Sequence, residues 1–210
     1  NNMAKAHNYS SANSSPAAGV GYGPHNTGST VHSTGSTDDH GFFAVYDGHC
    51  GSQAAQFLQD HLHQRTYKHS CYPHDVETAL GQTCVAMDQE FLKLCDERRW
   101  YSGTTALGVV LMENRLVMFN IGDCVAVLAS SGASAKVLNT PHKPGHPDEE
   151  KRIKKANGWI TEERELYMGR LHRMDLSDPV VRDKAQQVTW VTIHRVCGEL
   201  AVSRSIGDPD

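Results

Sequence analysis

Between Thr104 and Thr140 the sequence alternates strand-length apolar runs with turns too short to hold a crossover helix. "TTALGVVLM" is followed by Glu113-Asn114-Arg115, then by "LVMFNIGDCVAVLAS", a Ser-Gly turn and "AKVLNT". Strands joined this closely pair antiparallel, because a parallel neighbour needs a dozen or more connecting residues. Helices are confined to other stretches. Phe42 to Tyr46 reads as a short buried strand that breaks at Asp47-Gly48. Ala54, Phe57, Leu58, Leu62 and Arg65 recur at helical spacing and predict an amphipathic helix from Ser52 to about Lys68. Asp75 is placed to cap a second helix with the stripe Val76, Leu80, Cys84, Met87, Phe91 and Leu94. A third fits Asp148 to Ala156, stopped by Asn157-Gly158 as a left-handed cap. "VTWVTIHRV" and "ELAVSRSIGD" read as two final strands. The expected class is α+β, with antiparallel sheets and segregated helices.

Composition narrows the function. A chain of 210 residues with 39% apolar and 21% charged side chains can build one soluble core without a second domain. Residues 1–40 hold the low-complexity Ser, Gly, Thr and Asn, and read as a flexible tail with a short strand near Val20 to Tyr22. Residues 41–210 form the domain. A net charge of −4 offers no basic face to nucleic acid or anionic lipid. No apolar run approaches the ~18 residues of a membrane span. Six Cys without a C-x-x-C pair point to reduced thiols inside the cell, in cytoplasm or nucleus. Because the chain opens on Asn1 and not Met, a lost mitochondrial leader stays open.

Two short stretches carry chemistry. In isolation Asp47-Gly48 is a tight turn after a strand. With His49 it also assembles a carboxylate for Mg²⁺ or Mn²⁺, a glycine carbonyl that can approach the ion, and a proton donor. Asp123 in "NIGDC" sits at another strand end, where it reads alone as a solvated turn residue and together with Asp47 as a second metal carboxylate. A thiol route lacks its phosphate loop: six residues after Cys50 comes Gln56, and no other Cys has Arg at that spacing. His61 with His63, and His142 with His146, lack further ligands and read as surface imidazoles.

Taken together, "FFAVYDGHCG", "SGTTA", "NIGDCVAVL", "HKPGHPDEEKRIKKANGWI" and "RVCGELAVSRSIGD" resemble, in order and content, the metal-dependent type-2C protein serine/threonine phosphatase family. The resemblance implies a central sandwich of two antiparallel β-sheets flanked by helices, with two or more Mg²⁺ or Mn²⁺ ions at one end. It implies that Asp47 bridges the ions, that the Gly48 carbonyl binds one, that His49 is the general acid toward the leaving alkoxide, and that Asp123 serves an accessory ion. The implied reaction is hydrolysis of phosphoserine and phosphothreonine in a phosphoprotein substrate by ion-activated hydroxide. Ser102 to Thr105 and Arg195 to Asp208 match blocks that build the sheets.

Three departures accompany the match. Residues 1–40 contain no Arg, so the family's phosphate-binding Arg is unassigned, and Asp38-Asp39 lie too near Phe42 to serve as its acidic pair. The later blocks with further metal-binding Asp do not follow "SRSIGDPD", which reads as a fragment of a longer chain. Residues 161–194 replace a short connection and are expected to be an insertion that binds a protein partner or selects substrate, or a solvated charged loop. These departures leave an inactive family member, working as a binding or assembly subunit, as the alternative to an enzyme. A hydrolase of small phosphoesters is a third reading.

Overall fold

The alternation of Phe42, Ala44 and Tyr46 with Phe43 and Val45 decides the layering. In the computed structural model, which describes residues 27–33, 40–132, 134–166, 175, 177–185 and 190–209, the first set is buried and the second exposed. A strand of period two does this when one face meets a core. The chain forms two compact units, residues 1–142 with 204–210, and residues 143–203.

In the first unit, β1 (Thr27–Ser33) pairs with β2 (Gly41–His49). Helices α1 (Gln53–Tyr67) and α2 (Val76–Arg98) follow. Then come β3 (Gly103–Thr104), β4 (Ala106–Leu111), β5 (Leu116–Ile121) and the small pair β6 (Val127–Leu128) and β7 (Lys136–Val137). The main sheet is antiparallel throughout, in the order β10, β3, β2, β4, β5 with β1 added on β2, where β10 is Ile206–Gly207. Thus β2 and β4 are neighbours although both long helices separate them in sequence.

The helices cover one face of this sheet. Leu58, Leu62, Val76, Leu80 and Met87 join Phe42, Ala44, Tyr46 and Val110 in one core. Each large apolar side chain buried there contributes about 1.5–3 kcal/mol. The expected helix bounds hold to within a residue or two. Asp75 caps α2 by accepting from the Thr78 N–H, and Arg99 ends it in the left-handed region at φ 57°. On the other face Phe43 lies opposite Val109 and Val45 opposite Leu107. Phe43, Val45, Leu111 and Leu116 are exposed there.

In the second unit, α3 (Pro147–Lys155) starts on Pro147 with Asp148, Glu149 and Glu150 in its first turn and ends near Arg152, Lys154 and Lys155. Both ends suit the helix dipole, and Asn157 supplies the expected left-handed cap at φ 63°. The segment 161–194 is not a plain loop. Its ends belong to the hairpin of β8 (Ile160–Leu166) and β9 (Trp190–Val196), with α4 (Pro179–Ala185) between them.

Two sequence expectations change in detail. Thr27–Ser33, inside the expected tail, is strand β1, antiparallel to β2 in a register from Thr27 opposite Asp47 to Ser33 opposite Gly41. The expected strand near Val20 lies outside the described residues. Of "ELAVSRSIGD" only Ile206–Gly207 pairs in a ladder, because left-handed Cys197 and Gly198 turn the chain back so that Val196 and Leu200 form one bridge. Among the described residues no helix is long and apolar enough to cross a membrane.

Candidate active site

Asp47, Gly48 and His49 remain inside β2. Gly48 pairs with Thr104 and His49 with Gly103, so the turn begins only at Cys50, φ 54°, and Gly51, φ 130°. The Asp-Gly turn preference gives way to ladder bonds on the β3 side. Period two puts Asp47 and His49 on the face of Phe43 and Val45, opposite the helices, and both are half-buried. Gly48 is buried on the helix side, where an added Cβ would stand 3.3 Å from Ala55 Cβ.

Thr105 fixes this end of the strand. Its amide donates to the Asp47 carbonyl at 3.0 Å, and its hydroxyl accepts from the Asp47 amide at 3.3 Å. The same hydroxyl lies 3.3 Å from Cys124 Sγ. Its methyl group occupies the space beside Gly122, which has φ 104°. Asp123, the next residue, is thereby set at the end of β5. His142 holds the same turn, since Gly122 N–H donates to its Nδ1 at 3.2 Å and its own amide donates to the Gly122 carbonyl at 2.9 Å. Asn139 bridges the Cys124 carbonyl and the Ala126 amide, both at 2.8 Å.

A third carboxylate arrives from the far end of the chain. His49 Nε2 lies 2.7 Å and 2.9 Å from the two oxygens of Asp208. Burial lowers the imidazole pKa, but the hydrogen bond and charge of Asp208, followed by the charges of Asp47 and Asp123, raise it to a net value above the ordinary one. So Asp47, Asp123 and Asp208 all act on one imidazole. Burial raises the Cys124 thiol pKa, the Thr105 hydrogen bond opposes this, and Asp123 and Asp47 raise it further. That leaves a protonated thiol beside the acids.

The carboxylates and the Gly48 carbonyl are hard oxygen donors of the kind Mg²⁺ and Mn²⁺ take. Among the described residues, however, no three His, Cys, Asp or Glu side chains converge as a metal cage. The donors fit such ions in kind and fall short in number.

Sequence reasoning assigned Thr105 and Asp208 to sheet building and His142 to the surface. One signal for Asp208 was available: "IGD" occurs twice, at 121–123 and 206–208. Both glycines take positive φ, 104° at Gly122 and 89° at Gly207, and both place an Asp at a strand end. His142 carried no local signal.

A family model for protein phosphatase 2C matches residues 21–177. Probable protein phosphatase 2C 55 of Oryza sativa subsp. japonica is 38% identical over 167 residues, 79% of this chain and 36% of that protein. Probable protein phosphatase 2C 69 of Arabidopsis thaliana is 33% identical over 168 residues, 80% of this chain and 39% of that protein. A solved serine-threonine phosphatase 2C from Toxoplasma gondii has the same fold at TM-score 0.57 and 20% identity, covering 84% of this chain and 60% of its own. A C. elegans sex determining protein matches at TM-score 0.66 and 19% identity, covering 89% of this chain and 41% of its own. The chain spans well under half the length of these two curated relatives.

Proposed function

This chain belongs to the protein phosphatase 2C family, and from that premise we propose that the protein it comes from hydrolyses phosphoserine and phosphothreonine in phosphoprotein substrates. The observation that supports the reading is the pairing of His49 with Asp208 at the end of β2, the strand that also carries Asp47 and Gly48. Asp47, the Gly48 carbonyl and Asp123 would hold Mg²⁺ or Mn²⁺. Such ions, when bound, make water acidic enough to attack at neutral pH and neutralise phosphate charge.

The chain's own part is to position and to move a proton. Asp47 is held at both amide and carbonyl by Thr105, so its carboxylate has little freedom to drift from the strand end. His49 is the proton donor to the leaving serine or threonine oxygen, and Asp208 pairs with its Nε2 at 2.7 Å. No described Arg is assigned to the substrate phosphate. The β8–β9 arm, with Trp190 exposed and the Arg164 guanidinium 5.7 Å over its ring, is the place for a protein partner.

The second reading, an inactive binding or assembly subunit, is favoured by one observation: too few ligand side chains converge among the described residues to form a metal cage. Phosphate release from a phosphothreonine peptide by the full-length protein, with Mn²⁺ or with EDTA, separates the two. Manganese-dependent release supports the enzyme; none from a folded protein supports the subunit.

A further inference from the structure

His49 and Asp208 lie 159 residues apart in sequence, and four separate features bring them together. Gly103 stands opposite His49 on one side and opposite Gly207 on the other, so a strand separates His49 from the chain that carries Asp208. The carboxylate crosses that strand through the space a side chain at 103 would fill: a Cβ there would be 2.2 Å from Oδ1 and 2.5 Å from Oδ2. Gly207, φ 89°, and Asp208, φ 54°, take backbone conformations that aim the side chain inward. Asp88 accepts the Gly207 amide at 2.9 Å, the Ser102 carbonyl accepts the Asp208 amide at 3.3 Å, and the Ser205 hydroxyl donates to Asp208 Oδ2.

We propose that Asp208 is the positioning residue of His49, holding Nε2–H so that Nδ1–H is the bond presented to the leaving oxygen. The inference rests on the phosphatase reading above, with His49 as acid. Asp208 takes both carboxylate oxygens to Nε2, and among the described residues Nδ1 has no hydrogen-bond partner. In the transfer the Nδ1–H bond breaks, its electron pair stays on nitrogen, and the proton joins the oxygen that leaves phosphorus. The product is neutral imidazole protonated at Nε2, the tautomer that Asp208 favours.

Two measurements on the full-length protein test this. The first compares kcat on a phosphothreonine peptide, whose alkoxide needs a proton, with kcat on p-nitrophenyl phosphate, whose leaving group does not. Asp208→Ala is expected to shift that ratio at least tenfold against the peptide. Asp208→Asn, which keeps an acceptor and the shape, should shift it less, and Asp208→Ala should add little to His49→Ala. Equal loss on both substrates overturns the proposal. The second measurement needs no turnover: long-range ¹H–¹⁵N NMR of the His49 ring should show the neutral form protonated at Nε2 in the natural protein and redistributed toward Nδ1 in folded Asp208→Ala. An unchanged tautomer overturns the proposal. Absence of turnover in the natural protein with the predicted tautomer shift would refute the phosphatase reading and leave the Asp208 contact standing.

Discussion

Thr105 and Gly122 interlock across two strand ends: a Cβ on Gly122 would stand 2.6 Å from Thr105 Cγ2 and 2.7 Å from its Cβ. Gly122 also has φ 104°, where a side chain is strained whatever the space. Gly122→Ala is therefore expected to destabilise the fold by about 1–3 kcal/mol and to displace Asp123. Urea unfolding monitors the first effect; an unchanged midpoint would contradict the interlock.

The Thr105 hydroxyl should matter more than its volume. Thr105→Val keeps the shape but leaves the Asp47 amide without its hydroxyl acceptor in a buried setting. The expected loss is about 1–2 kcal/mol, with faster hydrogen exchange at the Asp47 amide. Thr105→Ser should retain the slow exchange.

The N-terminus of α2 should respond to acid. Hydrogen bonds from the Thr78 side chain, then its backbone, lower the Asp75 pKa below its ordinary value. A depressed carboxylate stabilises the fold above its unfolded pKa, and that contribution disappears as pH falls through the folded one. NMR titration of Asp75 should give a midpoint below that of an unstructured Asp. Asp75→Ala should fray the first turn of α2 at neutral pH as acid does in the natural protein.

In the second unit, Glu149 is buried and accepts from the Ser203 hydroxyl at 2.8 Å and from Arg152 at 2.9 Å. Glu149→Ala removes both bonds, so it should cost about 1–3 kcal/mol and exceed Ser203→Ala. Hydrogen exchange along α3 reports this unit separately from the sheet. Equal protection in both variants would show that the carboxylate does not organise it.

What was legible in the sequence was local. The stripes of α1 and α2, the Asp75 cap and the Asn157 stop all lie within a few residues of what they control. The placement of Asp47, Gly48, His49 and Asp123 directly after apolar runs was legible as well. Three features were not. The strand continues through Asp47-Gly48 because β3, more than fifty residues later, pairs there and overrides the turn preference. The reach of Asp208 to His49 depends on an absent side chain at Gly103, and no local pattern announces an absence. Strand β1 lay hidden in low-complexity sequence because TGSTVHS carries no alternating apolar pattern.

The most direct test of the account is Asp47→Asn in the full-length protein, assayed for phosphate release from a phosphothreonine peptide beside a calorimetric titration with Mn²⁺. The natural protein should bind Mn²⁺ and turn over, and the folded variant should lose both, turnover by about 100-fold or more. Equal turnover in variant and natural protein would contradict the assignment of Asp47 and, with it, the site.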